Sequence, residues 1–215
     1  MKTLQTWMIA AAMVALAGTA EAALIDRSGG MIYDTTLNVT WLADWNYAKT
    51  QYDNSGGAQG AADGRMTWVN ARTWAVNLVY GGYDDWRLPT SLNADGTGPC
   101  QGFNCSGSEM GHMFYNNWGA SAGSAFSTGT NAAYLALFSN VQSGLYWSGT
   151  EESSGFAWDF YTTGGTQNSA GKDGEFYAVA VRAGDVTASA PEPQTLALAL
   201  LALGATVVAR RRRPR

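Results

Sequence analysis

Apolar residues recur along the chain in three rhythms: short alternating runs, one stretch at helical spacing, and an uninterrupted apolar block at each end. Met31-Ile32-Tyr33 and Val39-Thr40-Trp41-Leu42 flank the polar Asp34-Thr35-Thr36-Leu37-Asn38, which predicts a β-hairpin. Residues 46–65 are rich in Gly, Ala, Asp and Asn and read as a surface loop. A helix is expected next, capped by Thr67, with Trp68, Ala71, Ala75, Leu78 and Val79 on one face and Gly81-Gly82 as a left-handed stop. Pro89 forces Leu88 into an extended conformation. A second helix is predicted from Ser108, carrying Met110, Met113 and Phe114, and a third over Ala132 to Phe138. Strands follow at Leu145 to Ser148, Phe156 to Thr162 and Tyr177 to Arg182. Strands first, helices in the middle and strands last predict an α+β fold whose terminal strands pair.

The terminal blocks read differently from the body. Lys2 precedes an apolar run from Trp7 to Ala17, and Ala20-Glu21-Ala22 provides a small-residue cleavage site, the make-up of a secretory signal peptide over residues 1–22. Signal peptidase is then an expected partner, cutting after Ala22. At the other end, Pro191-Glu192-Pro193 leads into 14 uncharged residues from Leu196 to Ala209 and then Arg210, Arg211, Arg212 and Arg213. At 1.5 Å per residue that run spans about 21 Å, short of the roughly 30 Å hydrocarbon core, so it is a marginal anchor whose arginines stay on the cytoplasmic side.

Charge sharpens this division. The chain of 215 residues carries a net charge of −4, but residues 23–190 hold 7 basic and 15 acidic side chains, a net of −8. Such a surface, without a basic patch, repels nucleic acid and anionic lipid. The hydrophobic content of 46% excludes a disordered chain.

The C-terminal trio of Pro-Glu-Pro, apolar helix and arginine cluster resembles the PEP-CTERM sorting signal of Gram-negative bacteria, here over residues 191–215. That resemblance implies recognition by an exosortase, removal of the tail near Pro-Glu-Pro, and release or attachment of the domain at the cell surface or in the extracellular matrix. Before processing, the C-terminal helix would sit in the inner membrane. A permanent single-span anchor is the alternative.

Over the body, Gly30-Met31-Ile32-Tyr33-Asp34, Trp86-Arg87-Leu88-Pro89-Thr90, Tyr146-Trp147-Ser148-Gly149-Thr150 and Val179-Ala180-Val181-Arg182 resemble the C-terminal domain of the Lcl collagen-like adhesin. This implies a domain over residues 23–190 related in fold to C-type lectin-like and formylglycine-generating-enzyme domains. Trp86, Trp147 and Trp158 are expected to fill the core, and Arg87 to pair with Asp84, Asp85 or Glu109. The sugar-binding motifs of calcium-dependent lectins are absent.

Cys100 and Cys105 are the only cysteines, and in an exported chain they default to a small disulfide loop. His112, the only histidine, reads as a surface or capping residue. Asp84-Asp85, Glu151-Glu152 and Asp159 are candidates for acid/base hydrolysis, while Asp53-Asn54-Ser55-Gly56 and Asn93-Ala94-Asp95-Gly96 are incomplete fragments of calcium loops. No cofactor is expected, and Ca²⁺ has no complete loop to hold it. Trp41, Trp45, Tyr47, Tyr52, Tyr115 and Trp118 fall near predicted loops, where an exposed ring could stack on a sugar. The expectation is a non-enzymatic exported protein that binds matrix components such as extracellular polysaccharide. A secreted hydrolase or metal-dependent enzyme, or a purely structural matrix protein, are the alternatives.

Overall fold

A computed structural model describes residues 23–186. The signal-peptide positions Ala20 and Ala22 and the sorting positions Pro191, Glu192, Pro193 and Arg210 to Arg213 lie outside the described residues. Two antiparallel-rich sheets carry the fold, which is α+β as expected. Strands β1 (Leu24–Asp26), β2 (Met31–Asp34), β3 (Val39–Leu42) and β9 (Val181–Ala183) form one, in the order β1-β2-β3-β9. The second runs β4 (Arg65–Met66), β8 (Phe176–Tyr177), β5 (Leu145–Glu151), β6 (Phe156–Tyr161) and β7 (Thr166–Gly171). The first and last strands therefore share a sheet but lie at its two edges, and β9 pairs with β3 rather than β1.

The predicted hairpin forms as β2–β3, with Asp34, expected in the turn, paired opposite Val39 at the end of β2. Asp34 caps its turn by accepting from the Thr36 and Leu37 amides at 2.9 and 3.0 Å. Helix α2 (Trp68–Val76) buries Trp68, Ala71 and Ala75 as the spacing requires. It stops at Asn77, four residues before the two glycines. Gly81 and Gly82 instead form a tight turn, at φ 62° and 84°, that joins Tyr80 to Tyr83, and Val79 faces solvent. Residues 47–54 depart from expectation. They form helix α1 (Tyr47–Asn54), which buries Ala48 alone, so its sequence shows no apolar stripe.

Ser108 caps α3 (Glu109–His112) by accepting from the Gly111 amide, and a wider π-turn continues it over Met113–Asn117. Met110, Met113 and Phe114 point into the core. A short α4 (Ala132–Leu135) covers the first half of the third predicted helix. The strand expected over residues 177–182 is broken. Tyr177 belongs to β8 in one sheet and Val181 to β9 in the other, while Ala178, Val179 and Ala180 cross between them fully buried.

Tryptophan supplies much of the interior. Trp45 stacks on Trp41 at 5.4 Å between ring centres, meets Trp118 at 4.8 Å, and takes Tyr146 edge-on. On the other side of the five-stranded sheet, Trp147 stacks on Phe176 at 4.3 Å. Trp147 donates its indole N–H to the Met66 carbonyl and Trp68 donates to the Ser148 carbonyl, both at 2.8 Å, so β5 is tied once to β4 and once to α2. Trp86 and Trp158 are buried as well, as expected.

The segment Trp86 to Ser91 is the seam between the sheets. Arg87 exchanges both backbone hydrogen bonds with Val181 at 2.8 Å, which attaches the segment to β9. Pro89 O accepts from the Gly149 amide at 2.7 Å, and Thr150 Oγ1 meets Thr90 Oγ1 and accepts from the Ser91 amide, which attaches it to β5. Of the three candidate partners for Arg87, Glu109 is the one used. The guanidinium donates to both its oxygens at 2.8 and 2.6 Å, and Thr90 N adds a third bond at 2.7 Å. Glu109 is buried while Arg87 keeps part of its side chain in water. Removing one partner of a fully buried pair costs about 3–5 kcal/mol, so with one partner half-exposed Glu109→Ala should destabilise the domain by about 2–4 kcal/mol. Urea unfolding of the variant checks this, and a midpoint equal to that of the parent would contradict it.

Candidate functional site

A cleft of about 740 Å³ lies between α1, the following loop and α2. Its far wall is built by the loop after α1 folding back, with the Ala61 amide donating to Ala48 O at 3.1 Å. Gly60 permits this approach. Its φ is +77°, and a Cβ there would lie 2.0 Å from Ala48 O. Strand β4 then turns the chain into α2, whose Asn70, Trp74 and Asn77 form the near wall.

The lining is mainly uncharged and rich in hydrogen-bonding groups. Gln51 Oε1 accepts from the Trp74 indole N–H at 2.9 Å, and Gln51 Nε2 donates to Gln59 Oε1 at 3.0 Å. The Trp74 ring is half-buried and held in one orientation by this relay. Asn70 and Asn77 are exposed beside it. Of the two charged residues at the cleft, Arg65 is tied to Asp63 at 2.7 Å, and its backbone amide and then its guanidinium, both donating to that carboxylate, hold the Asp63 carboxyl below its usual range. The site therefore offers one planar apolar ring flanked by amides that each donate and accept.

The rings singled out from sequence lie elsewhere. Trp41, Trp45 and Trp118 are wholly buried, so none can stack on a ligand; the large apolar core claims them even though they adjoin loops. Tyr47 is half-buried edge-on to Tyr80. The Tyr115 hydroxyl donates to Gly165 O and accepts from the Asn104 amide, bracing two loops. Tyr52 is part-exposed on α1. Among the motif residues, Trp86, Leu88, Tyr146, Trp147 and Ser148 are buried, while Arg87, Pro89 and Thr90 form the seam. Cys100 and Cys105 form the expected disulfide.

The candidate acids do not gather at this cleft. Asp85 accepts two bonds from Arg182 at 2.7 and 2.9 Å, which lowers its pKa, and Glu151 pairs with Lys172. Asp95 folds onto Thr97 and Asp53 pairs with Lys49, so both calcium-like segments spend carboxylates on local contacts. His112 is buried rather than superficial, 3.9 Å from Asp34 Oδ2, and burial lowers its pKa against the pull of Asp34. Asp159 is buried opposite Trp147 in the sheet, and desolvation pushes its pKa up to about 6.

Residues 189–213 match the PEP-CTERM protein-sorting motif. The motif marks the chain as an exosortase-sorted, exported protein associated with the envelope. No curated protein matches the chain. Among the described residues, no helix is long and apolar enough to cross a membrane.

Asp159 gives a pH prediction whose sign is set by its raised pKa. Its carboxyl binds its proton more tightly folded than unfolded, so the group favours the fold below about pH 4 and that contribution is lost as pH rises through 6. Asp159→Asn should therefore raise unfolding stability over the parent by up to about 3 kcal/mol at pH 8 and change it little at pH 4. Paired thermal melts at the two pH values measure this, and an equal effect at both would contradict it.

Proposed function

We propose that the exported domain is a non-enzymatic binding module that holds a segment of neutral extracellular polysaccharide in the cleft between α1 and α2, without a cofactor. The observation that carries this reading is the Trp74 ring, fixed by Gln51 and flanked by Asn70 and Asn77. A sugar presents an apolar face to stack on a ring and a rim of hydroxyls that both donate and accept, and side-chain amides match that rim without charge. The net charge of −8 over residues 23–190 favours neutral over anionic chains. The resemblance of the body to lectin-like domains supports the same reading. In this account residues 1–22 are removed by signal peptidase. The apolar C-terminal helix holds the protein in the inner membrane of a Gram-negative cell until an exosortase removes it, and the domain then works at the surface or in the matrix.

Two experiments test it. On a glycan array, the parent domain should bind neutral polysaccharide fragments, and Trp74→Ala should weaken that binding about tenfold or more, the weight of one lost aromatic contact. The melting temperature should stay within a few degrees, because Trp74 is only half-buried. Equal binding by parent and variant, or no glycan bound at all, would overturn the cleft assignment. Mass spectrometry of the secreted protein should show an N-terminus at Ala23 and loss of the region from Leu196 onward. A secreted chain retaining both ends would contradict the processing.

A further inference from the structure

The outward face of α2 has an unusual make-up for this acidic domain. Val69 and Val76 are well over half exposed, and Val79 just beyond the helix is 71% exposed. These are three of only six large apolar side chains exposed among the described residues; Val69 and Val76 lie two turns apart on one face of α2, while Val79 lies past its end at the rim of the cleft. Arg72 lies between them. It packs over the Trp68 ring at 4.7 Å and makes no ion pair among the described residues, and Lys172 reaches the same ring at 4.6 Å. Valines beside a guanidinium stacked on Trp68, on a domain that elsewhere carries acid in excess, suit a surface that is anionic outside and apolar beneath.

The exit of the chain says which surface that is. Val186, the last described residue, is buried against the cluster containing Leu78 and Trp86, and Leu78 follows α2 by two residues. The domain thus hands the chain to its sorting segment beside the C-terminal end of α2. Only nine residues separate Val186 from the apolar run that starts at Leu196, a reach of no more than about 36 Å. α2 is about 14 Å long, so a tail seated in a bilayer keeps its valine face within range of the headgroups.

We propose that, before the tail is cut, the face formed by Val69, Arg72 and Val76 rests on the anionic lipid surface of the membrane holding the tail. The inference rests on the reading of the C-terminal segment as a membrane anchor. Once that anchor is removed, the remaining contact is two valines and one arginine against a net charge of −8, too little to retain the domain. The membrane contact and the sorting cut would then act as one release step.

The chain from Ala23 onward, tail included, is reconstituted in vesicles of phosphatidylethanolamine and phosphatidylglycerol containing a spin-labelled lipid quencher. Val76→Cys and Asn116→Cys, each exposed, carry a fluorophore in turn; Asn116 sits on the π-turn, across the five-stranded sheet from α2. Co-flotation of the chain with the vesicles reports the anchor, and quenching reports the face. The proposal expects flotation together with quenching at position 76 about threefold above that at 116. Adding Arg72→Gln should weaken the contact about fivefold, the weight of one basic residue near an anionic surface. Flotation with equal quenching at both positions overturns the docking and leaves the anchor standing. Failure to float overturns both. Quenching at 76 that depends on protein density, with energy transfer between labelled chains, assigns the face to a second copy and overturns the lipid contact.

Discussion

The Arg87–Glu109 pair, with the Thr90 amide as its third member, is the contact on which the arrangement of the two sheets depends. Neither sheet pairs directly with the other, and the chain passes between them where Ala178, Val179 and Ala180 cross and along the segment Trp86 to Ser91. That segment makes ladder bonds to Val181 on one side and bonds to Gly149 and Thr150 on the other. Glu109, at the start of α3, fixes its direction, because a carboxylate that accepts two guanidinium bonds and one amide bond leaves little freedom to any of the three. Packing follows from this. The cluster around Trp45 and Trp118 fills one side of the five-stranded sheet, the cluster around Trp68 and Trp147 fills the other, and Trp86 closes the third against Leu42 and Val186.

Much of this was legible in the residue pattern. The hairpin at Met31 to Leu42, the α2 face, the Ser108 cap and the strands near Tyr146 and Phe156 follow from period and turn chemistry, since each buries a continuous stripe. Elements without such a stripe were not legible. Helix α1 buries one alanine and is held by its neighbours, and β7 reads Thr-Gln-Asn-Ser-Ala-Gly, an edge strand of polar and small residues. The break within residues 177–182 is a tertiary event. Alternation continues through it, but the register moves from one sheet to the other.

The site was harder to read than the fold, for a related reason. Aromatic residues near loops suggest a binding face only if the core has enough other apolar material, and here the core takes Trp41, Trp45 and Trp118 for itself. Trp74 carried no signal of its own. It sits on a helix whose buried face is satisfied by Trp68, Ala71 and Ala75, and its role comes from Gln51, which belongs to the helix that the pattern did not reveal. One helix thus contributes its inner side to the core, one flank to the amide-lined cleft and its outer side to an exposed pair of valines, with Val186 buried beside its C-terminal end.

Native-state hydrogen exchange tests the central claim most directly, read at the amides of Arg87 and Val181 across one half of the seam and of Gly149 across the other. If the Arg87–Glu109 pair locks the sheets together, all three amides exchange only through global unfolding, with one common opening free energy and a single denaturant slope. Opening of the Gly149 amide at a distinctly lower free energy than the Arg87 and Val181 amides would show two sheets that unfold apart, and would contradict it.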